Sequence, residues 1–257
     1  PMSYTYGLSI INTHIFSNAS LFLNKSPIVS KDFWKVLNEF DITNLNFVPF
    51  LVRILQRLNF HEMKFKKLRL FTTAGGPLNK KLWSYLAEFS KKNKIEFVPM
   101  YGATEATSRM SYLPSKYVNK KIGSIGKGMK KTKLYLLDKK KNIINRAFVN
   151  GELIFEGSNV CLGYAQRKSD LSKNDENKCI LSTNDIAYQD KDGFFFIIGR
   201  KDRFIKIYGH RVNLDEVEKI LNNSGFNCVC KGKTDSLSIY SDIKYDRPKL
   251  IKFISNK

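Results

Sequence analysis

The 257-residue chain is poor in metal-binding residues and has no long apolar run. It contains only three histidines and four cysteines, and neither the Cys228 and Cys230 pair nor the other two thiols has zinc spacing. We therefore expect buried thiols in a reducing cytoplasm. No stretch of about 18 uncharged apolar residues occurs, so no membrane-spanning helix is predicted. The first residues also lack the pattern of a signal peptide.

Acidic residues are scarce relative to basic ones: 44 Lys and Arg face 23 Asp and Glu, for a net charge of +21. Such an excess raises the question of nucleic-acid binding. The lysines, however, are spread along the chain at the ends of apolar segments, whereas a nucleic-acid surface concentrates them with aromatic residues on one face. We expect no specific nucleic-acid partner. The charge would instead attract anions such as ATP or an acidic carrier protein.

The first hundred residues alternate strand-like and helix-like segments. Strands are predicted at 19–23, 45–48, 68–72 and 95–98, and helices after an N-cap at Ser30, at 49–58 and at 78–89. This rhythm predicts an α/β fold with a doubly wound, mostly parallel sheet. In such a sheet, ligands bind at the carboxyl ends of the strands.

After residue 120 the pattern changes to short strands and glycine-marked turns, which predict a small β-barrel over 121–201. Beyond Asp202 we expect a strand at 204–207, a helix at 214–221 capped by Asn213, further strands and a final helix toward residue 257. The domain prediction is therefore a sheet part at 1–120, a barrel part at 121–201 and a partial C-terminal α+β domain at 202–257.

The segment Tyr101-Gly102-Ala103-Thr104-Glu105 directly follows a predicted strand. A glycine there lets the backbone approach a nucleotide, and Tyr101 could lie against a purine. Thr104 could donate its hydroxyl to a phosphate, and Glu105 could hold magnesium beside phosphate oxygens. Taken alone, the segment is better explained as a plain surface turn with a solvated glutamate.

Three other segments are weak signals of the same kind. The segment 72–78 contains Gly75 and Gly76, whose amides could face a ligand, and Pro77, which suits the first turn of a helix. The segment 181–185 ends in Asp185, which could accept hydrogen bonds from a ribose diol. The segment 199–202 contains Arg200, which could reach ribose or phosphate, and Asp202, at a place typical of hinges. Tight turns or a charged linker would explain each segment as well.

In order and spacing these segments resemble the adenylate-forming superfamily of acyl-CoA synthetases, peptide-synthetase adenylation domains and luciferases. The resemblance extends from residue 1 to about residue 221. Its matching pieces are 1–7, 74–78, 101–105, 123–126, 151–157, 163–164, 183–185 and 199–202, followed by Lys206 and Gly209.

The resemblance implies a two-step reaction. A carboxylate attacks the α-phosphate of ATP to give acyl-AMP and pyrophosphate, and a thiol of CoA or of the phosphopantetheine on an acyl carrier protein then takes the acyl group. The implied cofactors are ATP or AMP and Mg²⁺. The implied catalytic residues are Thr104 and Glu105, with Glu105 as the metal ligand. The implied hinge is Asp202.

The remaining implied roles are binding roles. Asp185 would bind the ribose hydroxyls with help from Arg200. The full set of implied cofactor-binding residues is Gly75, Gly76, Pro77, Tyr101, Gly102, Thr104, Asp185 and Arg200. The implied walls of the acyl pocket are Tyr4, Tyr6 and Gly7.

The chain departs from the family pattern in several places. In the family, a Ser/Thr/Gly-rich phosphate loop precedes the segment that matches residues 1–7, and the sequence contains no such loop. The only late Gly-Lys, at 232–233, comes too early for the family's catalytic lysine. Asn184 stands where the family usually has Gly, and Tyr4 where many members have His. We therefore expect part of a ligase, incomplete by itself, truncated or with its N-terminal half on a separate chain. The alternative is an inactive AMP-binding regulatory module.

Overall fold

The computed structural model describes residues 2–208, 210–241 and Tyr245, which fall into two compact units. The first unit comprises Pro1–Thr183 and Ala187–Ile197, and the second comprises Asn184–Ile186 and Ile198–Lys257. Gly209 and the final helix predicted toward residue 257 lie outside the described residues. The three-part domain division made above stays a prediction.

Five α-helices and thirteen β-strands are present in the described residues. The helices are α1 (Thr5–Phe16), α2 (Lys31–Glu39), α3 (Pro49–Arg57), α4 (Lys80–Asn93) and α5 (Leu214–Asn223). The strands of the first half are β1 (Asn44–Phe47), β2 (Leu70–Thr73), β3 (Glu96–Ala103), β4 (Thr107–Tyr112), β5 (Lys127–Gly128) and β6 (Lys133–Leu137). The others are β7 (Gly151–Glu156), β8 (Ile180–Gln189), β9 (Phe195–Arg200), β10 (Phe204–Ile207), β11 (His210–Asn213), β12 (Val229–Lys233) and β13 (Ser236–Tyr240).

The main sheet has five strands in the order β1-β2-β3-β4-β5. Strands β1, β2 and β3 are parallel, as predicted, whereas β4 and β5 run antiparallel to their neighbours. The register places Leu45 beside Phe71 and Phe71 beside Phe97, and all three side chains are buried. Because parallel strands end at the same edge, the residues after β1, β2 and β3 share one edge of the sheet.

The core of this sheet is aromatic. Phe71 and Phe97 are fully buried and stack with ring centroids 5.0 Å apart, and Trp83 of α4 meets Phe97 edge-on. Burying each such ring contributes roughly 1.5–3 kcal/mol. The buried residues of α4 recur at helical spacing, so one face of this helix covers the sheet.

Several local predictions are confirmed and others are wrong. Ser30 caps α2 by accepting a hydrogen bond from the amide of Asp32 at 3.1 Å. Helix α4 begins at Lys80 rather than Leu78, because the Asn79 side chain takes the N-cap position, and Pro77 therefore lies before the helix. The strand predicted at 19–23 does not form, since no strand among the described residues pairs with it.

The predicted small barrel is an open sheet in the described residues. Strands β6, β7, β8 and β9 lie in that order, and β6 pairs antiparallel with β7. Closure would need a ladder between β6 and β9, but Phe195 at the start of β9 instead bridges Gly126, next to β5. A turn at 190–193 is held by hydrogen bonds between Asp190 and Phe194.

The second unit contains two antiparallel hairpins, β10-β11 and β12-β13, with α5 between them in sequence. Asn213 caps α5 as predicted, accepting from the Asp215 amide at 3.0 Å. Arg203 joins this helix to β12 through Asp215, Glu218 and the carbonyl of Cys230.

The four cysteines are free thiols with different surroundings. Cys228 and Cys230 are buried, as expected, and burial raises the pKa of Cys230 to about 11. The expectation is wrong for Cys179, which is exposed. The described residues also contain no helix with the length and apolarity needed to cross a lipid bilayer.

Candidate functional site

Helix α1, which the sequence analysis did not predict, lies at the shared edge of the sheet. Thr5 at its start donates a hydrogen bond to the Thr104 hydroxyl over 3.2 Å. The buried Tyr6 hydroxyl bonds to Thr72 at the end of β2, and Thr72 donates to the Asn46 side chain of β1 at 2.7 Å. Because Thr72 gives its only proton to Asn46, Tyr6 must be the donor to Thr72. This chain of hydrogen bonds ties α1 to β2 and β1.

Tyr4 and Gly75 lie together just before α1 and just after β2. Gly75 has a φ of +83°, and a Cβ there would lie 2.8 Å from the Tyr4 hydroxyl oxygen. Only glycine meets both conditions without strain. The structure thus brings a predicted acyl-pocket residue against a predicted adenine-slot residue. Gly76 and Pro77 continue the same exposed loop, and Gly7 is partly buried on α1.

Tyr101 and Gly102 belong to β3 itself, because this strand continues to Ala103. A Cβ on Gly102 would collide with the backbone of Thr107 and Ser108 on β4, where the register shifts. The close approach of β4 therefore explains this glycine. Tyr101 is partly buried and packs against two groups of core residues. The nucleotide-binding roles of Tyr101 and Gly102 stay predictions.

Thr104 and Glu105 occupy the turn between β3 and β4. The exposed Tyr164 donates its hydroxyl proton to the Glu105 carboxylate, and this bond raises the pKa of Tyr164. The Glu105 carbonyl also accepts from the amide of Cys161 at 2.7 Å. The loop 161–164 is thus held against the turn through both the backbone carbonyl and the side chain of Glu105.

This arrangement fits magnesium only as part of a nucleotide complex. Across the described residues, no group of three or more His, Cys, Asp or Glu side chains could hold a metal ion. Magnesium bound with a nucleotide needs only one or two carboxylates, since phosphates and water complete its octahedron. Glu105 is partly accessible, and its Tyr164 partner is an exposed side chain that can move aside.

In the second unit, Asp185 and Arg200 form an ion pair with 3.4 Å between Oδ1 and Nη1. Asp185 is only 6% exposed, and pairing offsets the cost of burying its charge. Arg200 also lies 3.9 Å from the exposed carboxylate of Asp202. Asp202 lies inside the second unit, and its role as a hinge stays a prediction.

The backbone explains why Asn184 can replace glycine. Its φ is +58°, in the left-handed region that glycine adopts freely and that asparagine tolerates better than most residues. The conformation beside Asp185 is thereby kept.

Arg109 on β4 is a further residue of this site that the sequence analysis missed. Its Nε donates to the Ser9 hydroxyl on α1 at 3.2 Å. No sequence signal marks it, because its position depends on the pairing of β4 with β3 and on the contact of α1 with β4.

Comparison with known proteins agrees with this picture. The family model for AMP-binding enzymes matches residues 1–165, more than half of the chain. The chain belongs to this family. The resemblance to adenylate-forming enzymes is thereby confirmed.

Curated relatives are CoA ligases. The 2-succinylbenzoate–CoA ligase of Bacillus cereus (strain ATCC 10987) is 30% identical over 223 residues, which are 86% of this chain and 44% of the relative. The peroxisomal OPC-8:0-CoA ligase 1 of Arabidopsis thaliana is 25% identical over 86% of this chain and 41% of its own length. This AMP-binding family chain thus spans less than half the length of these relatives.

Solved structures show the same fold. The o-succinylbenzoate CoA synthetase of Bacillus subtilis, in complex with its acyl-adenylate, has a TM-score of 0.80 at 20% identity, over all of this chain and 53% of that one. The same enzyme has been solved with AMP and with ATP and magnesium. A luciferase-like enzyme of the mealworm Zophobas morio has a TM-score of 0.66 at 21% identity, over 77% of this chain and 47% of that one.

Ionisation of Tyr6 should destabilise the first unit at high pH. Burial raises the pKa of Tyr6 from 10.0 to about 12, so the folded state holds this proton more tightly than the unfolded state. The resulting stability is complete below pH 10 and is lost as pH rises toward 12. Between pH 9 and 11, the wild type should lose about 1 kcal/mol more unfolding free energy than Tyr6→Phe. Denaturant unfolding of both proteins measures this, and parallel curves would contradict it.

The left-handed backbone at Asn184 predicts an unusual mutational pattern. Asn184→Gly should change the free energy of unfolding by only a few tenths of a kcal/mol, whereas Asn184→Val should lower it by about 1–2 kcal/mol. The exposed side chain makes packing a minor factor in both variants. Thermal or denaturant unfolding of the three proteins provides the measurement. Equal stabilities for the Gly and Val variants would show that the backbone conformation is wrong.

Proposed function

We propose that this AMP-binding family chain is the nucleotide-binding part of an acid–thiol ligase. Its reaction would be ATP-dependent adenylation of a carboxylic acid, followed by transfer of the acyl group to a thiol. The observation that carries the proposal is the placement of Thr104 and Glu105 in one turn at the carboxyl edge of a parallel sheet, in a chain of this family. This is the edge at which α/β proteins bind nucleotides.

In the first step, an oxygen of the substrate carboxylate bonds to the α-phosphorus of ATP, and the bond to pyrophosphate breaks. Negative charge builds up on the phosphate oxygens, so catalysis depends on neutralising and orienting them. Thr104 has an exposed hydroxyl held by Thr5, and it would donate to a phosphate oxygen. Glu105 would hold magnesium, which neutralises phosphate charge when bound. The hydrogen bond from Tyr164 to Glu105 would break when magnesium binds.

Asp185 is proposed to bind the ribose. An ionised carboxylate can accept one hydrogen bond from each of two neighbouring hydroxyls. The ion pair with Arg200 offsets the cost of burying the Asp185 carboxylate. Gly75, Gly76 and Tyr101 would line the adenine slot.

The names of the relatives support the proposed chemistry. The curated relatives are named as ligases that join 2-succinylbenzoate or OPC-8:0 to CoA, so we propose CoA rather than a carrier protein as the acceptor. We further propose a cytoplasmic reaction in which an N-terminal half, on the same chain or another, supplies the phosphate loop. An AMP-binding module without turnover is the outcome that would replace this proposal.

The proposal predicts that the chain binds AMP and Mg-ATP through Asp185. Asp185→Asn keeps the size of the side chain but removes its charge, and should weaken AMP binding by about tenfold or more, since hydrogen bonds to a charged group are lost. Glu216→Ala, which removes an exposed carboxylate from the same unit, should leave the affinity unchanged. Calorimetric titration measures both.

Two results would contradict the proposal. Equal affinities for the wild type and Asp185→Asn would remove Asp185 from the site, and absence of AMP binding would show that the chain does not hold the nucleotide. AMP binding without acid-dependent pyrophosphate release, even with an added N-terminal half, would support the module without turnover.

A further inference from the structure

Thr104 lies on the surface, and one contact fixes its side chain. It occupies the turn between β3 and β4, where its exposed hydroxyl accepts a hydrogen bond from the Thr5 hydroxyl over 3.2 Å. The Thr104 hydroxyl has no second hydrogen-bond partner among the described residues. An exposed side chain without such a contact is free to change rotamer and to turn its proton in several directions. The contact with Thr5 removes much of that freedom.

The polarity of this hydrogen bond suits an anionic ligand. A threonine hydroxyl has one proton to donate and lone pairs that accept. Because Thr5 is the donor, Thr104 keeps its own proton for another acceptor. An ionised phosphate oxygen only accepts hydrogen bonds, so it matches a hydroxyl that has kept its proton. Accepting the bond from Thr5 also polarises the Thr104 hydroxyl and strengthens its own donation.

Thr5 can serve as a fixed support because both of its neighbours in sequence are held. The buried hydroxyl of Tyr6 bonds to Thr72 on β2, and Tyr4 lies against Gly75. Tyr6 is also the buried residue of α1, so the first turn is the best-anchored part of this helix. The position of Thr5 therefore follows from contacts other than its own bond to the turn. A supporting residue must itself be held in this way if it is to orient another side chain.

We propose that Thr5 is a positioning residue for the phosphate of a bound nucleotide. It acts through Thr104, holding that hydroxyl in place and leaving its proton for a phosphate oxygen. This inference rests on the proposed function, which assigns Thr104 to phosphate, and it adds a residue of α1 to the phosphate side of the site. The first turn of α1 then serves the phosphate as well as the acid, because Thr5 lies between the proposed acyl-pocket residues Tyr4 and Tyr6.

Titration of the whole chain with AMP, Mg-ATP and adenosine tests the inference, because adenosine lacks the phosphate. Thr5→Val keeps the shape of the side chain and removes its hydroxyl. It should weaken binding of AMP or Mg-ATP by about two- to tenfold, as expected for one hydrogen bond, and leave adenosine binding unchanged. Thr5→Ser keeps the donor and should keep the affinity.

Thr13→Val is the matched control for this titration. Thr13 lies on the same helix, and its hydroxyl bonds only to the carbonyls of Ser9 and Ile10 among the described residues. The substitution is chemically identical to Thr5→Val but does not touch Thr104. It should leave the affinities for all three probes unchanged.

A double-mutant cycle shows whether Thr5 acts through Thr104. Thr104→Val should also weaken nucleotide binding and spare adenosine. The double variant should bind the nucleotide no more weakly than Thr104→Val alone, because Thr5 then has no hydroxyl to hold. Additive losses would mean that Thr5 acts by another route and would overturn the inference.

Thermal unfolding separates positioning from a purely structural role. Since the bond lies at the surface, Thr5→Val should unfold within about 4 °C of the wild type. A lower midpoint, together with equal losses of affinity for AMP and adenosine, would make Thr5 structural and overturn the inference. Unchanged affinities of Thr5→Val for AMP and Mg-ATP would overturn it as well.

Failure of this inference differs from failure of the proposed function. A wild type that binds AMP through Asp185, but whose affinity is insensitive to Thr5→Val, would leave the ligase proposal standing and remove only the role of Thr5. Equal affinities of the wild type for AMP, Mg-ATP and adenosine would remove Thr104 from phosphate binding, and the role of Thr5 with it. A wild type that binds none of the three probes would overturn both.

Discussion

The buried hydrogen-bond chain from Tyr6 through Thr72 to Asn46 is the constraint on which the first-unit site depends. It joins α1 to two parallel strands where they reach the edge of the sheet. The buried Tyr6 hydroxyl keeps its partner Thr72 only while the helix stays in place, and an unsatisfied buried group costs about 1–3 kcal/mol. With the helix fixed, Thr5 reaches Thr104. Tyr4, just before the helix, lies against Gly75, and Ser9 within the helix accepts a hydrogen bond from Arg109 on β4.

In the second unit, too, a buried polar group depends on one partner, here through an ion pair. Asp185 is buried on β8, and Arg200 at the end of β9 makes that burial tolerable. Asn184 holds the left-handed backbone conformation immediately before it. A paired but buried carboxylate keeps a fixed orientation, which a ribose-binding group requires.

Local features of the fold could be predicted from the sequence, and long-range ones could not. The parallel strands and the caps at Ser30 and Asn213 were recognised because they depend on neighbouring residues. Helix α1 was missed because its apolar residues are spread around the helix instead of forming one stripe. The open sheet in place of a barrel depends on the bridge between Gly126 and Phe195, which no local pattern specifies.

The site was predicted to a similar extent. The order of its motifs indicated the family, and their residues do lie at strand ends and turns. The physical reasons differ in places: Gly102 is required by the approach of β4, and Gly75 by its backbone conformation and the Tyr4 hydroxyl. Arg109 was missed, and Tyr164 was noted only as part of a matching segment without a role, because each contacts a residue distant in sequence.

Hydrogen–deuterium exchange with and without saturating AMP tests most directly whether the named segments bind a nucleotide. The account predicts slower exchange of the backbone amides in 101–105 and 184–186. It predicts no change in α4, which carries none of the proposed nucleotide-binding residues and covers the sheet with its buried face. Protection confined to other segments, or no protection at a saturating AMP concentration, would contradict the assignment of these residues to nucleotide binding.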